Sequence, residues 1–68
     1  MNEDAFNMSV RKFLKQVGIS GQREIENAVR QALANGRLSG NETLPAKATI
    51  TLGQTSLNLV IDGEVKLE

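Results

Sequence analysis

The stretch QREIENAVRQAL, residues Gln22 to Leu33, decides how the rest of the chain is read. Its apolar residues fall at Ile25, Ala28, Val29, Ala32 and Leu33, the i, i+3, i+4, i+7, i+8 spacing that gathers one stripe on an α-helix. The residues between them, Arg23, Glu26, Asn27, Arg30 and Gln31, fall on the opposite side and belong in water. A helix with one apolar face needs a cover, so the neighbouring segments are read as that cover.

Toward the N-terminus, Phe6, Val10, Phe13, Leu14 and Val17 share one face of a first helix predicted over residues 2–17. Asn2 can cap it. Glu3 and Asp4 place negative charge at the positive end of the dipole, and Arg11, Lys12 and Lys15 lie toward the negative end. Both phenylalanines are read as core anchors rather than as an exposed platform for bases. Gly18 is expected to end this helix in the left-handed conformation, and Ser20 to cap a second helix over residues 21–34. Gly18 and Ile19 would then turn the two helices sharply as an αα corner or hairpin, with Ile19 pointing inward. Asn35-Gly36 should end the second helix by the same left-handed device.

Toward the C-terminus, Gly40, Asn41 and Pro45 mark residues 35–45 as a loop. The apolar period then falls to two, with Ala46, Ala48, Ile50 and Leu52 alternating with Lys47, Thr49 and Thr51. Strands are predicted over 46–52, 56–61 and 64–67, turning at Gly53-Gln54-Thr55 and at Asp62-Gly63, the latter a strong type I′ hairpin signal. Leu57, Leu59, Ile61, Val65 and Leu67 would face inward. The expected fold is α+β: two N-terminal helices packed on one face of a three-stranded antiparallel β-meander, α-α-β-β-β, as a single domain over residues 1–68.

A chain of 68 residues buries only about 60% of the surface that its unfolded form exposes, so its stability is marginal. It has no Cys and no His, which removes disulfides and the usual ligands of structural zinc and leaves oligomerisation as the common staple. Eight basic residues balance eight acidic ones, which argues against a polyanion as the main partner. The start MNEDAF carries neither the basic nor the apolar region of a signal peptide, and no apolar run approaches the ~18–20 residues that a bilayer span needs. A soluble, cytoplasmic protein is expected.

The commonest general base and the commonest soft nucleophile are absent, since there is no His, Cys, Tyr or Trp. Each carboxylate has a capping, turn or surface explanation, so no catalytic residue, metal or cofactor is expected. Gly18-Ile19-Ser20-Gly21-Gln22-Arg23 has the glycines and the helix start of an anion site, without the spacing or the lysine of a P-loop. It also has the look of a helix-turn-helix turn, although Leu14 stands where a small residue usually sits. The residues that would carry anion or nucleic-acid contacts are Arg11, Lys12, Lys15, Arg23 and Arg30.

MNEDAFN (residues 1–7), VRKFLKQVG (10–18), QREIENAVR (22–30), GNETLPA (40–46) and IDGEV (61–65) together resemble a family of very short, uncharacterised bacterial proteins. The resemblance covers essentially the whole chain and implies a free-standing bacterial protein. It brings no activity, ligand or site residue with it. The function expected from the residues is that of a non-catalytic protein-interaction module, binding another protein or a second copy of itself through open strand edges. Nucleic-acid binding through the basic residues of the two helices is the alternative.

Overall fold

The computed structural model of the chain describes residues Met1–Glu68. It divides into two compact units, Met1–Arg37 and Leu38–Glu68. The first holds one α-helix, α1 (Glu3–Ala34), and the second holds two strands, β1 (Thr43–Thr51) and β2 (Asn58–Lys66), paired antiparallel. The α+β class therefore stands, but the α-α-β-β-β order does not. There is one helix where two were expected, and a two-stranded hairpin where a meander was expected.

α1 begins as its sequence dictates. The Asn2 side chain accepts the Ala5 N–H at 3.0 Å, and Glu3 and Asp4 occupy the first turn, so an orphan donor and the positive end of the dipole are both satisfied. The helix also ends where Asn35-Gly36 said it should. Gly36 has φ 81°, the Arg37 N–H donates to the Ala32 carbonyl at 2.9 Å, and the Gly36 N–H donates to that of Leu33 at 3.3 Å. That bond pair is a Schellman motif.

Between these ends the chain does not break. Gly18 lies in the helix without a positive φ, and Ser20, instead of capping a new helix, accepts a hydrogen bond from the Gln16 Nε2 at 2.9 Å. The physical reason is a comparison of costs. An interior glycine costs a helix about 1 kcal/mol, whereas a break leaves about four carbonyls and four N–H groups needing new partners. The apolar phase also survives the glycines: Val17, Gly21 and Ile25 follow one another at steps of four, on the stripe that starts at Phe6.

In the second unit, β1 and β2 are in register from Thr43 opposite Lys66 to Thr51 opposite Asn58. β2 runs straight through Asp62-Gly63, with Gly63 opposite Ala46 and no positive φ. A two-residue turn there would place Ile61 and Glu64 on the same face and so reverse the alternation beyond it. The apolar parity of Leu57, Leu59, Ile61, Val65 and Leu67 is unbroken, and it selects a continuous strand. β1 in turn starts earlier than the sequence suggested and includes Pro45. The Leu67 N–H donates to the Glu42 carbonyl at 3.0 Å, which makes that pair, and every second pair after it, hydrogen-bonded across the ladder. The Pro45 nitrogen therefore falls on the outer edge, where a missing N–H costs no ladder bond.

The turn itself occupies residues 52–57. The Thr55 N–H and Oγ1 donate to the Leu52 carbonyl at 3.3 and 2.7 Å, and Gln54 takes φ 63°, the positive value that the third residue of a type II turn requires. At the open end of the hairpin, the Glu42 carboxylate accepts the N–H groups of Ser39 at 2.8 Å and Gly40 at 2.9 Å, pinning the entering loop.

Candidate interaction surfaces

Each unit presents one apolar face, and no residue of either is buried within its own unit. On α1 the face runs through Phe6, Val10, Leu14, Val17, Gly21, Ile25, Ala28 and Ala32, a 4-4-3 spacing that repeats every 11 residues. Such a repeat stays almost in line on a helix and winds slightly to the right. The helix is about 48 Å long, and about 39 Å of it carries the stripe. Phe13, Val29 and Leu33 widen it on its two sides. Phe6 is 46% exposed and Phe13 56%, so both aromatic rings lie open to solvent in this unit rather than anchoring a core of it. Near the C-terminal end, Ala28, Gln31, Ala32, Asn35 and Arg37 line a shallow depression beside the stripe.

The hairpin is equally two-sided. Leu44, Ala46, Ala48 and Ile50 stand opposite Val65, Gly63, Ile61 and Leu59, all on one face. The other face carries the threonines of β1, Lys47 opposite Asp62, and Val60 as its apolar exception. Of the two outer edges, that of β1 is interrupted by Pro45, while that of β2 offers its N–H and C=O groups without interruption from Asn58 to Lys66.

The five basic residues singled out in the sequence all lie on α1, but not as one patch. Arg11 and Lys15 flank the stripe, whereas Lys12, Arg23 and Arg30 lie on the side away from it, and Arg11 to Arg30 spans about 28 Å of axis. Arg23 meets Glu24 at 3.4 Å with both side chains mostly exposed, an ion pair of small consequence. Glu24 and Glu26 fall among the bases, between Arg23 and Arg30. From Gly18 to Arg23 the backbone N–H groups serve the helix, so the free donors that an anion site would need at a new helix start are engaged.

Among the titratable groups, Glu42 is held below the ordinary carboxylate range, first by the Ser39 N–H and then by the Gly40 N–H. Its surroundings are those of a turn anchor: two backbone donors, no second carboxylate and no base. The spacing Ser39, Gly40, Glu42 was open to being read in the sequence, since a carboxylate shortly after a glycine can reach back to the N–H groups before it.

A single long amphipathic helix followed by an amphipathic hairpin defines a small α+β protein whose distinguishing features are surfaces rather than a cleft. The chain belongs to a family of unknown function, DUF6494, whose model matches residues 1–68. Comparison with curated proteins and with solved structures returns no match for either. No helix is long and apolar enough to cross a membrane.

Proposed function

We propose that this protein is a small non-catalytic interaction module that works through the apolar stripe of α1, with the open edge of β2 as a second point of attachment. The observation that carries the proposal is the stripe itself: eight positions in one phase over most of a 32-residue helix, with nothing in their own unit to cover them. An apolar face of that length is costly to leave in water and marks a contact surface. The non-catalytic part rests on composition, which lacks His, Cys, Tyr and Trp, and on Glu42, whose lowered pKa has a turn to explain it. A bacterial, cytoplasmic setting belongs to the same proposal.

Light scattering over a range of concentrations, together with affinity capture from a bacterial lysate, tests it. Association or capture should disappear in the Phe13→Glu, Val17→Glu double variant. A strictly monomeric protein that enriches no partner would sink the proposal.

A second reading, nucleic-acid binding, draws support from Lys12, Arg23 and Arg30 sharing the side of α1 opposite the stripe. The balanced charge and the presence of Glu24 and Glu26 weigh against it. Phosphate-dominated binding is strongest at low salt, so a titration against duplex and single-stranded DNA and RNA at low ionic strength that shows no binding removes this reading.

A further inference from the structure

We infer that Asn35-Gly36 is a site of spontaneous deamidation in the folded chain, reached when the last turn of α1 opens. The inference is independent of the interaction reading above.

The chemistry begins with the residue pair. The backbone nitrogen of the residue that follows an asparagine can attack the side-chain carbonyl carbon, Cγ, and close a five-membered succinimide ring. A C–N bond forms, the backbone nitrogen gives up its proton, and the side-chain nitrogen leaves as ammonia. Water then opens the ring at one or other carbonyl, leaving aspartate or isoaspartate at position 35. The attacking nitrogen is least shielded in glycine, which has no Cβ. Of the asparagines in the chain only Asn35 precedes a glycine; the others precede Glu3, Met8, Ala28, Glu42 and Leu59. Asp62-Gly63 can close the same ring, with water as the leaving group.

The structure separates these two sites. Gly63 stands opposite Ala46, in a pair that exchanges hydrogen bonds across the ladder, so ring closure at Asp62 waits for the hairpin to open. Gly36 is held far more lightly. Its N–H donates to the Leu33 carbonyl at 3.3 Å, longer than an ordinary N–H···O bond, and the Arg37 N–H closes the turn on Ala32. Asn35 and Gly36 are exposed and α1 has no buried residue, so the turn is kept shut by its own hydrogen bonds. The Asn35 Oδ1 also accepts the Arg37 N–H at 3.1 Å, which keeps the side-chain carbonyl beside the backbone that follows it. With ψ at 6° the Gly36 nitrogen is not aligned on Cγ. Rotation about ψ aligns it and breaks the Schellman pair, and two exposed bonds favour the closed turn only roughly tenfold to a hundredfold.

The products keep the turn open. Either one adds a carboxylate at the negative end of the helix dipole. Isoaspartate also routes the main chain through the side chain, and the extra methylene carries the Gly36 and Arg37 N–H groups away from Leu33 and Ala32.

Mass mapping of the full-length protein, held at neutral pH and sampled over time, tests the inference. Cleavage after Arg30 and Arg37 releases residues 31–37, in which Asn35 is the one asparagine. That peptide should gain one mass unit and separate into two isomers while the peptides with the other asparagines keep their mass, and Asn35→Gln should abolish the gain. The native rate should be no slower than about one-hundredth of the rate for the chain unfolded in urea. Gly18→Ala, which steadies the helix as a whole, should leave the native rate unchanged, whereas reaction through complete unfolding would slow about fivefold. A native rate slower than that bound, a slowing in Gly18→Ala, or earlier conversion of another asparagine would overturn the inference.

Discussion

Gly18→Ala distinguishes an unbroken helix from a pair of helices by the sign of its effect. In α1 a methyl group added at Gly18 meets nothing within 4 Å, and the residue has no positive φ. Alanine at such an interior site is favoured over glycine by about 0.8–1.0 kcal/mol. Were Gly18 the left-handed residue closing a shorter helix, the same change would instead cost about 1–2 kcal/mol. The two arrangements thus differ by about 2–3 kcal/mol in expected outcome. A gain of about 1 kcal/mol raises the Tm by about 4–8 °C in a domain of this size. Thermal and urea melts followed by far-UV circular dichroism measure it, with parent and variant at one concentration because association makes Tm concentration-dependent. Ser20→Ala provides the companion test. Loss of a helix cap costs about 1 kcal/mol, whereas alanine for serine inside a helix gains up to about 0.5 kcal/mol. That gain is reduced here by the exposed Gln16 bond to the Ser20 Oγ. A lowered Tm for Gly18→Ala, or fast amide exchange confined to residues 18–21, would refute the continuous helix.

Further outcomes follow from the hairpin. Gly63→Val should stabilise it by about 0.5–1 kcal/mol in urea melts, because Gly63 is strand with open space around its Cα; a type I′ turn at that position would instead be destroyed. Gln54→Gly should add about 1 kcal/mol by relieving the positive φ of a residue with a side chain. The depressed pKa of Glu42 means that its contribution is fully present above the unfolded carboxylate range and is lost as pH falls through the lower folded value. The Tm difference between the parent and Glu42→Gln should therefore be largest near neutral pH and shrink in acid, as melts over a pH series would show.

Much of the local structure was legible in the residues themselves. The 3.6-residue period on both sides of Gly18, the Asn2 cap and the Asn35-Gly36 stop are properties of short segments, and the structure has each where the sequence put it. So is the alternation through β1 and from Leu57 to Ile61. Local preference and continuity conflict at two places, and continuity prevails at both. Gly18 followed by Ser20 resembles a stop and a start, but the phase from Val17 through Gly21 to Ile25 is that of one helix. Asp62-Gly63 resembles a hairpin, but the parity from Leu57 to Leu67 is that of one strand. Both signals were present in the sequence and extend over more residues than the motifs that outvoted them. What the tertiary structure alone decided is the pairing. That Thr43 to Pro45 lies opposite Glu64 to Lys66 depends on which strand edge receives the proline, and a ladder nine residues long, closed by the turn at 52–57, turns that nitrogen outward. No segment contains this choice by itself, because the free energy of a cross-strand hydrogen bond belongs to two parts of the chain at once.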